Sequence, residues 1–245
     1  RNEEDLVSRS HLLTVDKRRN GVRVAEMSEQ KSAIDLRQAG KAMLKNWAVS
    51  DTRTLIIKAL NSMRSANTIS TWETGAELLA LNATSDAWLV DNSDRILFGA
   101  VALATGTDFS TEHTKLDNTD DKMTASVLTR AKIAAQTASP KITPIRTKGD
   151  EEWFVAFLHP YQIRDLVLSD TTFQAAQREA RERSKDNPLF RGADYCWDGI
   201  IIRSIPEIPL VAASTAGSAI QTACGHLCGA QALGYGLAKR WGSTS

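Results

Sequence analysis

The feature of the sequence that most constrains its fold is a long helical pattern between Ser32 and Met63. Apolar residues recur there at a spacing of about 3.6 residues; they are Leu36, Ala39, Met43, Trp47, Leu55, Ala59 and Met63. No proline interrupts the pattern, although Ser50 and Asp51 favour helix caps and could divide it. We therefore predict one long helix, which would reach roughly 45 Å. Such a helix needs a neighbour along its whole length, which favours an extended protein or an assembly.

Composition is that of an ordinary globular protein. The 245 residues suffice for one large domain or two small ones, and 42% hydrophobic with 24% charged residues excludes general disorder. A net charge of +1 gives no general attraction to nucleic acid or to an anionic membrane. Three cysteines do not form a disulfide framework and favour a reducing compartment. No signal peptide or transmembrane helix is recognised. Because the chain begins at Arg1, we expect an upstream part to have been removed or to be missing.

The N-terminal residues Arg1 to Met27 are interpreted as a charged arm that contains strands. The segments His11 to Val15 and Val22 to Ala25 flank the sequence KRRNG. Its Asn20-Gly21 pair tolerates positive φ at both positions, so it predicts a tight hairpin. The basic cluster beside this turn is either solvated or a docking site for an acidic surface.

A buried strand is predicted at Trp153 to Leu158, because this run is apolar on both faces. It stops at His159-Pro160-Tyr161-Gln162, and proline suits the first turn of a helix, so Pro160 to Val167 is predicted to be a short helix. His159 is the obvious candidate for a general base, yet neither a nucleophile elbow nor a paired cysteine accompanies it. We interpret this histidine as a helix cap or a packed polar side chain.

Two further helices and another strand are predicted from short sequence patterns. Residues Met123 to Ala138 have helical spacing. Thr171 and Gln174 have the spacing of a capping box and are predicted to start a further helix. Asp198-Gly199 is predicted to turn the chain into a buried strand at Ile200 to Ile202.

Cys224, His226 and Cys228 resemble a metal motif, but their spacing argues against one. On a helix, His226 would lie about 200° from Cys224, so the three side chains would not converge. On a strand they would share a face, but a tetrahedral zinc site would still lack a fourth ligand and the usual spacing. Small residues surround them, so we interpret the cysteines as small apolar packing residues. No catalytic, cofactor-binding or metal site is predicted, which favours a structural role.

Four blocks of sequence together resemble the major capsid proteins of tailed phages, in the branch typified by the coat protein of coliphage N-four. The blocks are MSEQKSAIDLRQAGKAMLKNW (Met27 to Trp47), KITPIRTKGDEEWFVAFLHPYQIRDL (Lys141 to Leu166), AAQREARERSKDNPLFRGADYCWDGIIIRSIPEIP (Ala175 to Pro209) and LCGAQALGYGLAKRWG (Leu227 to Gly242). The resemblance extends, with gaps, over most of the chain. The motifs MSEQ, HPYQ, DNP-F-GA, DG and GAQ are specific in this order, whereas each alone would be weak.

This resemblance implies an α+β fold, the Hong Kong ninety-seven coat fold, with a long spine helix, a partial extended loop, a peripheral domain and an axial domain. Residues 1–31 would be the returning strand of the extended loop, and residues 32–66 the spine helix of the peripheral domain. Residues 67–214 would form mainly the axial domain, and residues 215–245 would lead back to the peripheral domain. Relatives have further segments before and after these residues, so we expect a fragment, the ordered part of a longer subunit, or a shortened version.

The function implied by the resemblance is that of a major capsid protein of a phage or prophage, without enzymatic activity or cofactors. Copies would form pentamers and hexamers that close into an icosahedral head around double-stranded DNA, in virions assembled in the bacterial cytoplasm. Decoration, scaffolding and portal proteins would be further partners, and no membrane is expected. The candidate subunit contacts are charged residues: Lys17, Arg18, Arg19, Arg23, Glu29, Arg37, Arg178 and Arg181.

Two alternatives stay open at this point. An encapsulin-type shell protein would have the same fold, but its particles would carry cargo and no genome. A cytosolic enzyme or metal protein would use His159, or the cluster of Cys224, His226 and Cys228.

Overall fold

The computed structural model describes residues 19–61, 90, 92–99, 116–147, 151–181, 195–215 and 218–236 of the chain. Contacts divide the chain into two compact units. One unit consists of Arg1–Asp51 with Leu233–Ser245, and the other consists of Thr52–Ala232. The four domains implied by the resemblance stay a prediction.

The strand predicted at Val22 to Ala25 is not present, and a short helix follows these residues. Residues 21–25 have no regular secondary structure, and helix α1 follows at Glu26–Lys31. Neither Asn20 nor Gly21 has the positive φ that a tight hairpin requires; the Asn20 side chain instead accepts a hydrogen bond from the Gly21 N–H at 2.8 Å. The hairpin prediction is therefore wrong at these residues, and its other strand, His11 to Val15, lies outside the described residues.

The predicted long helix is present and continuous. Helix α2 extends from Leu36 to Asn61 and has 26 residues, so it measures roughly 39 Å at about 1.5 Å per residue. Its start is fixed by Asp35, whose Oδ1 accepts hydrogen bonds from the N–H groups of Arg37 at 3.0 Å and Gln38 at 3.1 Å. Ser50 and Asp51, at which the helix could have been divided, lie within it.

The second unit is built around a central strand, β2. In chain order its strands are β1 (Ile145–Arg146), β2 (Glu152–Leu158), β3 (Tyr195–Trp197), β4 (Ile200–Ser204), β5 (Leu210–Thr215), β6 (Ser218–Ala223) and β7 (His226–Cys228). Strand β2 pairs in parallel with β4 and antiparallel with β1 and β7, and β3 pairs antiparallel with β4. These five strands form one sheet, whereas β5 and β6 form a separate two-stranded sheet.

Helices cover one face of the five-stranded sheet. They are α3 (Ala125–Thr137), α4 (Pro160–Ser169) and α5 (Thr171–Arg181). Alternate residues of β2 and β4 form one buried cluster with residues of all three helices; its members are Ala125, Leu128, Ala135, Phe154, Ala156, Leu158, Ile163, Leu166, Phe173, Ile200 and Ile202. On the opposite face, Trp153, Val155 and Phe157 are only half-buried. Strand β2 is therefore fully buried on one face, and not on both as its apolar run predicted.

Asp170 connects the ends of the three helices. It follows the last residue of α4, and its Oδ1 accepts hydrogen bonds from the N–H groups of Thr172 at 2.9 Å and Phe173 at 3.1 Å at the start of α5. Its Oδ2 accepts a hydrogen bond from the N–H of Ala125 at 2.7 Å at the start of α3. One carboxylate therefore caps two helix N-termini, where negative charge is also favoured by the helix dipole.

The helix predicted to start at Thr171 is present, but the predicted capping box is wrong. Asp170 and not Thr171 supplies the cap, because a carboxylate accepts stronger, charge-assisted hydrogen bonds than a hydroxyl does. Gln174, the expected second member of the box, instead donates from Nε2 to the carbonyl oxygen of Val167 at 2.6 Å.

Replacing Asp170 with alanine should lower the free energy of unfolding by about 1–4 kcal/mol, because each of two helices loses a cap worth about 0.5–2 kcal/mol. Urea unfolding of the unassembled chain measures this loss. Asp165→Ala on α4 is the matched control, since Asp165 makes a surface ion pair with Arg164 at 2.7 Å and should cost less than about 1 kcal/mol. Equal losses in the two variants would contradict the double cap.

Two glycines should respond in opposite ways to alanine. A Cβ at Gly229 would collide with the carbonyl oxygen of Thr143, whereas a Cβ at Gly40 in α2 would lie 3.5 Å from Cγ1 of Val22, an ordinary contact. Gly229→Ala should therefore destabilise the chain by about 1–3 kcal/mol, and Gly40→Ala should stabilise it by about 0.5–1 kcal/mol. Thermal unfolding of both variants checks the signs; a stabilised Gly229→Ala would show that the contact with Thr143 is not tight.

Candidate functional site

His159, the first candidate, lies between β2 and α4 and serves as the N-cap of the helix. Its side chain is buried, with 7% of the residue exposed, and Nδ1 accepts a hydrogen bond from the N–H of Tyr161 at 3.2 Å. Burial lowers the pKa of His159 below its usual value, which favours the neutral form that this hydrogen bond requires. The interpretation of His159 as a cap is confirmed.

Gln162 completes the junction by bonding in two directions. Its Oε1 accepts a hydrogen bond from the N–H of His159 at 2.9 Å, and its Nε2 donates to the carbonyl oxygen of Ala223, the last residue of β6, at 2.9 Å. Next to it, Leu158 lies against Gly225, where a Cβ would come within 2.7 Å of Leu158 Cδ2. The HPYQ motif therefore joins the end of β2 to the connection between β6 and β7.

Tyr161 and Arg164 form the exposed side of this junction. The Tyr161 ring packs edge-on against His159 with 4.9 Å between ring centroids, and the Arg164 guanidinium lies 5.3 Å from the centroid of the Tyr161 ring. Tyr161 is 50% exposed. Tyrosine and arginine are enriched in protein interfaces, so this surface is better suited to a contact than to catalysis.

The second candidate, the cysteine–histidine cluster, belongs to the sheet. His226 and Cys228 lie in β7 opposite Phe157 and Val155 of β2. Burial raises the pKa of Cys224 to about 11, raises that of Cys228, and lowers that of His226 to about 4. Because the thiolate is the form that binds metal, these protonated thiols are poor ligands. Within the described parts of the chain, no group of three His, Cys, Asp or Glu residues could hold a metal ion.

The half-buried His226 should make stability depend on pH. Its pKa is about 4 in the folded chain, compared with an ordinary value of 6.5, so the unfolded chain binds a proton first as the pH falls. The stability contributed by neutral His226 is present above about pH 6.5 and is lost as the pH falls towards about 4, by at most about 1.4 kcal/mol per pH unit. Below about pH 4 this loss should stop.

Urea unfolding at a series of pH values, for the wild-type chain and for His226→Gln, measures this effect. The difference between the two profiles isolates His226 from carboxylates that titrate in the same range. We expect the wild-type chain to lose more stability than the variant between pH 6.5 and 4. Parallel profiles would show that burial does not hold His226 neutral.

Comparison with known proteins decides what kind of chain these elements form. The model of a family described as phage capsid protein matches residues 1–245, the whole chain. The chain belongs to the phage capsid protein family. This is a family of structural proteins, so the prediction that the chain is not an enzyme is confirmed, and the alternative of a cytosolic enzyme is rejected.

Individual relatives of this capsid family member agree with the assignment. The major capsid protein of Pseudomonas phage KPP25 is 25% identical over 252 residues, covering 96% of this chain and 63% of that protein. The cyanophage Pam1 capsid is 32% identical with a TM-score of 0.61, covering 76% of this chain and 50% of that one. The capsid of Ralstonia phage GP4 is 23% identical with a TM-score of 0.58, covering 83% and 54%. The predicted α+β coat fold is confirmed, and the chain spans 63% of the curated relative's length.

The charged residues predicted to make subunit contacts in this capsid chain are distributed over both units. Arg19, Arg23 and Arg37 are exposed in the first unit, Glu29 lies in α1, Arg178 is exposed on α5 of the second unit, and Arg181 ends α5. Lys17 and Arg18 lie outside the described residues. Exposure makes Arg19, Arg23, Arg37 and Arg178 accessible to another subunit. The role of all these residues in contacts stays a prediction.

The candidate contact residues were chosen by charge, so they do not include an apolar surface that the structure shows on α2. Leu36, Gly40, Met43, Leu44 and Trp47 occupy one side of the helix, within an arc of about 100°; we call them the α2 stripe. Met43 is 64% exposed and Trp47 is 37% exposed. Helical spacing identified both residues as part of an apolar face that needs a neighbour, but not as candidate subunit contacts. No helix in the described residues, α2 included, is long and apolar enough to cross a membrane.

Proposed function

We propose that this chain is the major capsid subunit of a tailed phage or prophage. Its copies assemble as pentamers and hexamers into an icosahedral shell that encloses double-stranded DNA. The observation that carries the proposal is the family match over residues 1–245, and the solved relatives, which are phage capsids, support it. The same matches favour a phage head over an encapsulin-type compartment. The proposal implies a location in the virion, after assembly in the bacterial cytoplasm.

The α2 stripe supports contacts between copies of the subunit. Met43 and Trp47 leave apolar surface in water, and burying such a side chain fully contributes about 1.5–3 kcal/mol. Arg37 is exposed in the first turn of the same helix, where it would lie at the polar rim of the contact. Single contacts of this size are weak, and the many copies in a shell supply the stability.

The low net charge of the chain is compatible with a protein shell around DNA. A net charge of +1 gives the subunit little general attraction for phosphate. Contacts with packaged DNA would then be independent of sequence. Decoration, scaffolding and portal proteins are proposed as further partners of the shell.

Light scattering combined with electron microscopy of the purified full-length protein tests this function. We expect megadalton shells, or pentamers and hexamers that precede them. A stable monomer or dimer at high protein concentration would contradict the proposal.

The α2 stripe should be needed for assembly and not for folding. Trp47→Ser should raise the protein concentration required for assembly by about tenfold or more, because an aromatic anchor worth at least about 1.4 kcal/mol is lost. Val49→Ser is the matched control: Val49 is 58% exposed and lies about 200° from Trp47 around the helix. Sedimentation measures assembly and circular dichroism checks folding. Equal effects of the two substitutions would exclude the stripe as the contact.

A further inference from the structure

The only Asn-Gly pair of the sequence, Asn20-Gly21, lies in an accessible segment before α1. Both residues are exposed, and residues 21–25 have no regular secondary structure. Among the described residues, nothing lies within 4 Å of the position that a Cβ at Gly21 would occupy. Water can therefore reach the peptide group between the two residues, and no side chain of Gly21 shields it.

The Asn20 side chain folds back over this peptide group. Its Oδ1 accepts a hydrogen bond from the Gly21 N–H, with 2.8 Å between nitrogen and oxygen. A carbonyl bond is about 1.23 Å long, so the Gly21 nitrogen lies within about 4.0 Å of Cγ, the carbon that bears this oxygen. Reacting atoms that are held about 3–3.5 Å apart gain the advantage of an intramolecular reaction. The folded chain therefore holds a nucleophilic nitrogen beside the carboxamide carbon.

The charges around the pair favour loss of a proton from the Gly21 nitrogen. Arg19 directly precedes the pair and Arg23 follows it, and both arginines are exposed. Nearby positive charge stabilises the anionic form of an acid. Here the anions are the deprotonated peptide nitrogen and the oxyanion that its attack on a carbonyl carbon produces. The KRRNG segment therefore combines a nucleophile, an electrophile and charges that favour the reaction between them.

We propose that Asn20 is a site of spontaneous covalent modification in the folded subunit, through a succinimide formed with Gly21. The Gly21 nitrogen gives its proton to hydroxide and forms a bond to Cγ of Asn20. The bond from Cγ to Nδ2 then breaks, and Nδ2 leaves as ammonia with a proton taken from water. One water molecule opens the five-membered imide, either at Cγ or at the backbone carbonyl carbon of Asn20. The products are aspartate or isoaspartate at position 20, and the reaction consumes no oxidant or reductant.

Either product places a carboxylate where the carboxamide was. Such a carboxyl group has an ordinary pKa of about 3.3–3.9 and is ionised at neutral pH. One added negative charge lowers the net charge of the chain from +1 to 0. The new charge lies between Arg19 and Arg23, two residues that are predicted to make subunit contacts, so the modification changes the charge of a predicted contact segment. The reaction needs only this chain and water, so it does not depend on the proposed function.

Hydroxylamine, which attacks a succinimide and cuts the chain there, tests the proposal on the purified folded chain. We expect cleavage between residues 20 and 21, and a gradual appearance of aspartate and isoaspartate at position 20 in peptide maps by mass spectrometry. Between about pH 7 and 9 the rate should rise by up to about tenfold per pH unit, because the deprotonated nitrogen is the reactive form.

Gly21→Ala should slow both reactions by about tenfold or more, because the methyl group hinders the approach of the nitrogen to Cγ. The substitution should leave the fold unchanged, since the described neighbours leave space for the methyl group. Wild-type rates in Gly21→Ala would show that the Gly21 nitrogen is not the nucleophile and would overturn the proposal.

Asn118 provides a matched control within the same chain. It is exposed like Asn20, but the N–H that follows it, that of Thr119, donates to Oδ1 of Asp117 at 2.8 Å. Thr119→Gly therefore gives a second Asn-Gly pair, whose nitrogen is held by a carboxylate. In the folded chain this pair should react about tenfold more slowly than Asn20-Gly21, or slower still, because nearby negative charge opposes loss of the proton. In urea, where both hydrogen bonds are lost, the two pairs should react at similar rates.

The folded chain decides between the outcomes. Faster reaction at Asn20 than at Asn118 in the folded Thr119→Gly variant, with similar rates in urea, supports the proposal. Equal rates in the folded variant would show that the fold does not select the site and would overturn it. A folded chain in which Asn20 stays unchanged while the urea-unfolded chain reacts would overturn it as well, because the fold would then protect the pair.

Discussion

The backbone pairing of β2 is the interaction on which the rest of the second unit depends. This strand pairs in parallel with β4 through Phe154 to Leu158, and antiparallel with β7 through Val155 to Phe157. One of its faces lies in the helix-covered core, and its last residue, Leu158, bonds to the segment that leads into β5. The positions of α4 and of the hairpin formed by β5 and β6 therefore follow from where β2 ends.

The polar groups that were considered as catalytic or metal-binding residues have structural roles in this fold. His159 caps α4, Gln162 links that cap to β6, and the Asp170 carboxylate holds the starts of two helices. The Cys224 thiol and the His226 imidazole are half-buried, and removal from water favours their neutral forms. A capsid subunit has no reaction to catalyse, and its function depends on the shape and stability of the surfaces that it offers to other copies.

Sequence reasoning succeeded where a short segment determines its own structure. The spacing along α2, the proline at the start of α4 and the Asp198-Gly199 turn, with φ of 44° and 74°, are local signals of this kind. It failed where distant residues decide the outcome: Asp170 caps a helix 45 positions away, and β7 exists as a strand because β2 pairs with it. Periodicity also cannot distinguish a face packed within the subunit from one reserved for a neighbour, so helical spacing identified Met43 and Trp47 without showing that they are exposed. The resemblance to phage coats supplied the functional conclusion, which no single residue carries.

The central claim is that this chain works by contact between copies of itself, and a reconstruction of the assembled particle by electron microscopy at side-chain resolution tests it most directly. The account predicts closed shells with rotational symmetry, in which a neighbouring subunit covers Met43 and Trp47 of α2. It also predicts that the β2–α4 junction stays as it is in the single chain, with Gln162 bonded to Ala223. Shells in which Met43 and Trp47 are as exposed as in the single subunit would contradict the account of how the subunits meet. The absence of any symmetric particle would contradict its central claim.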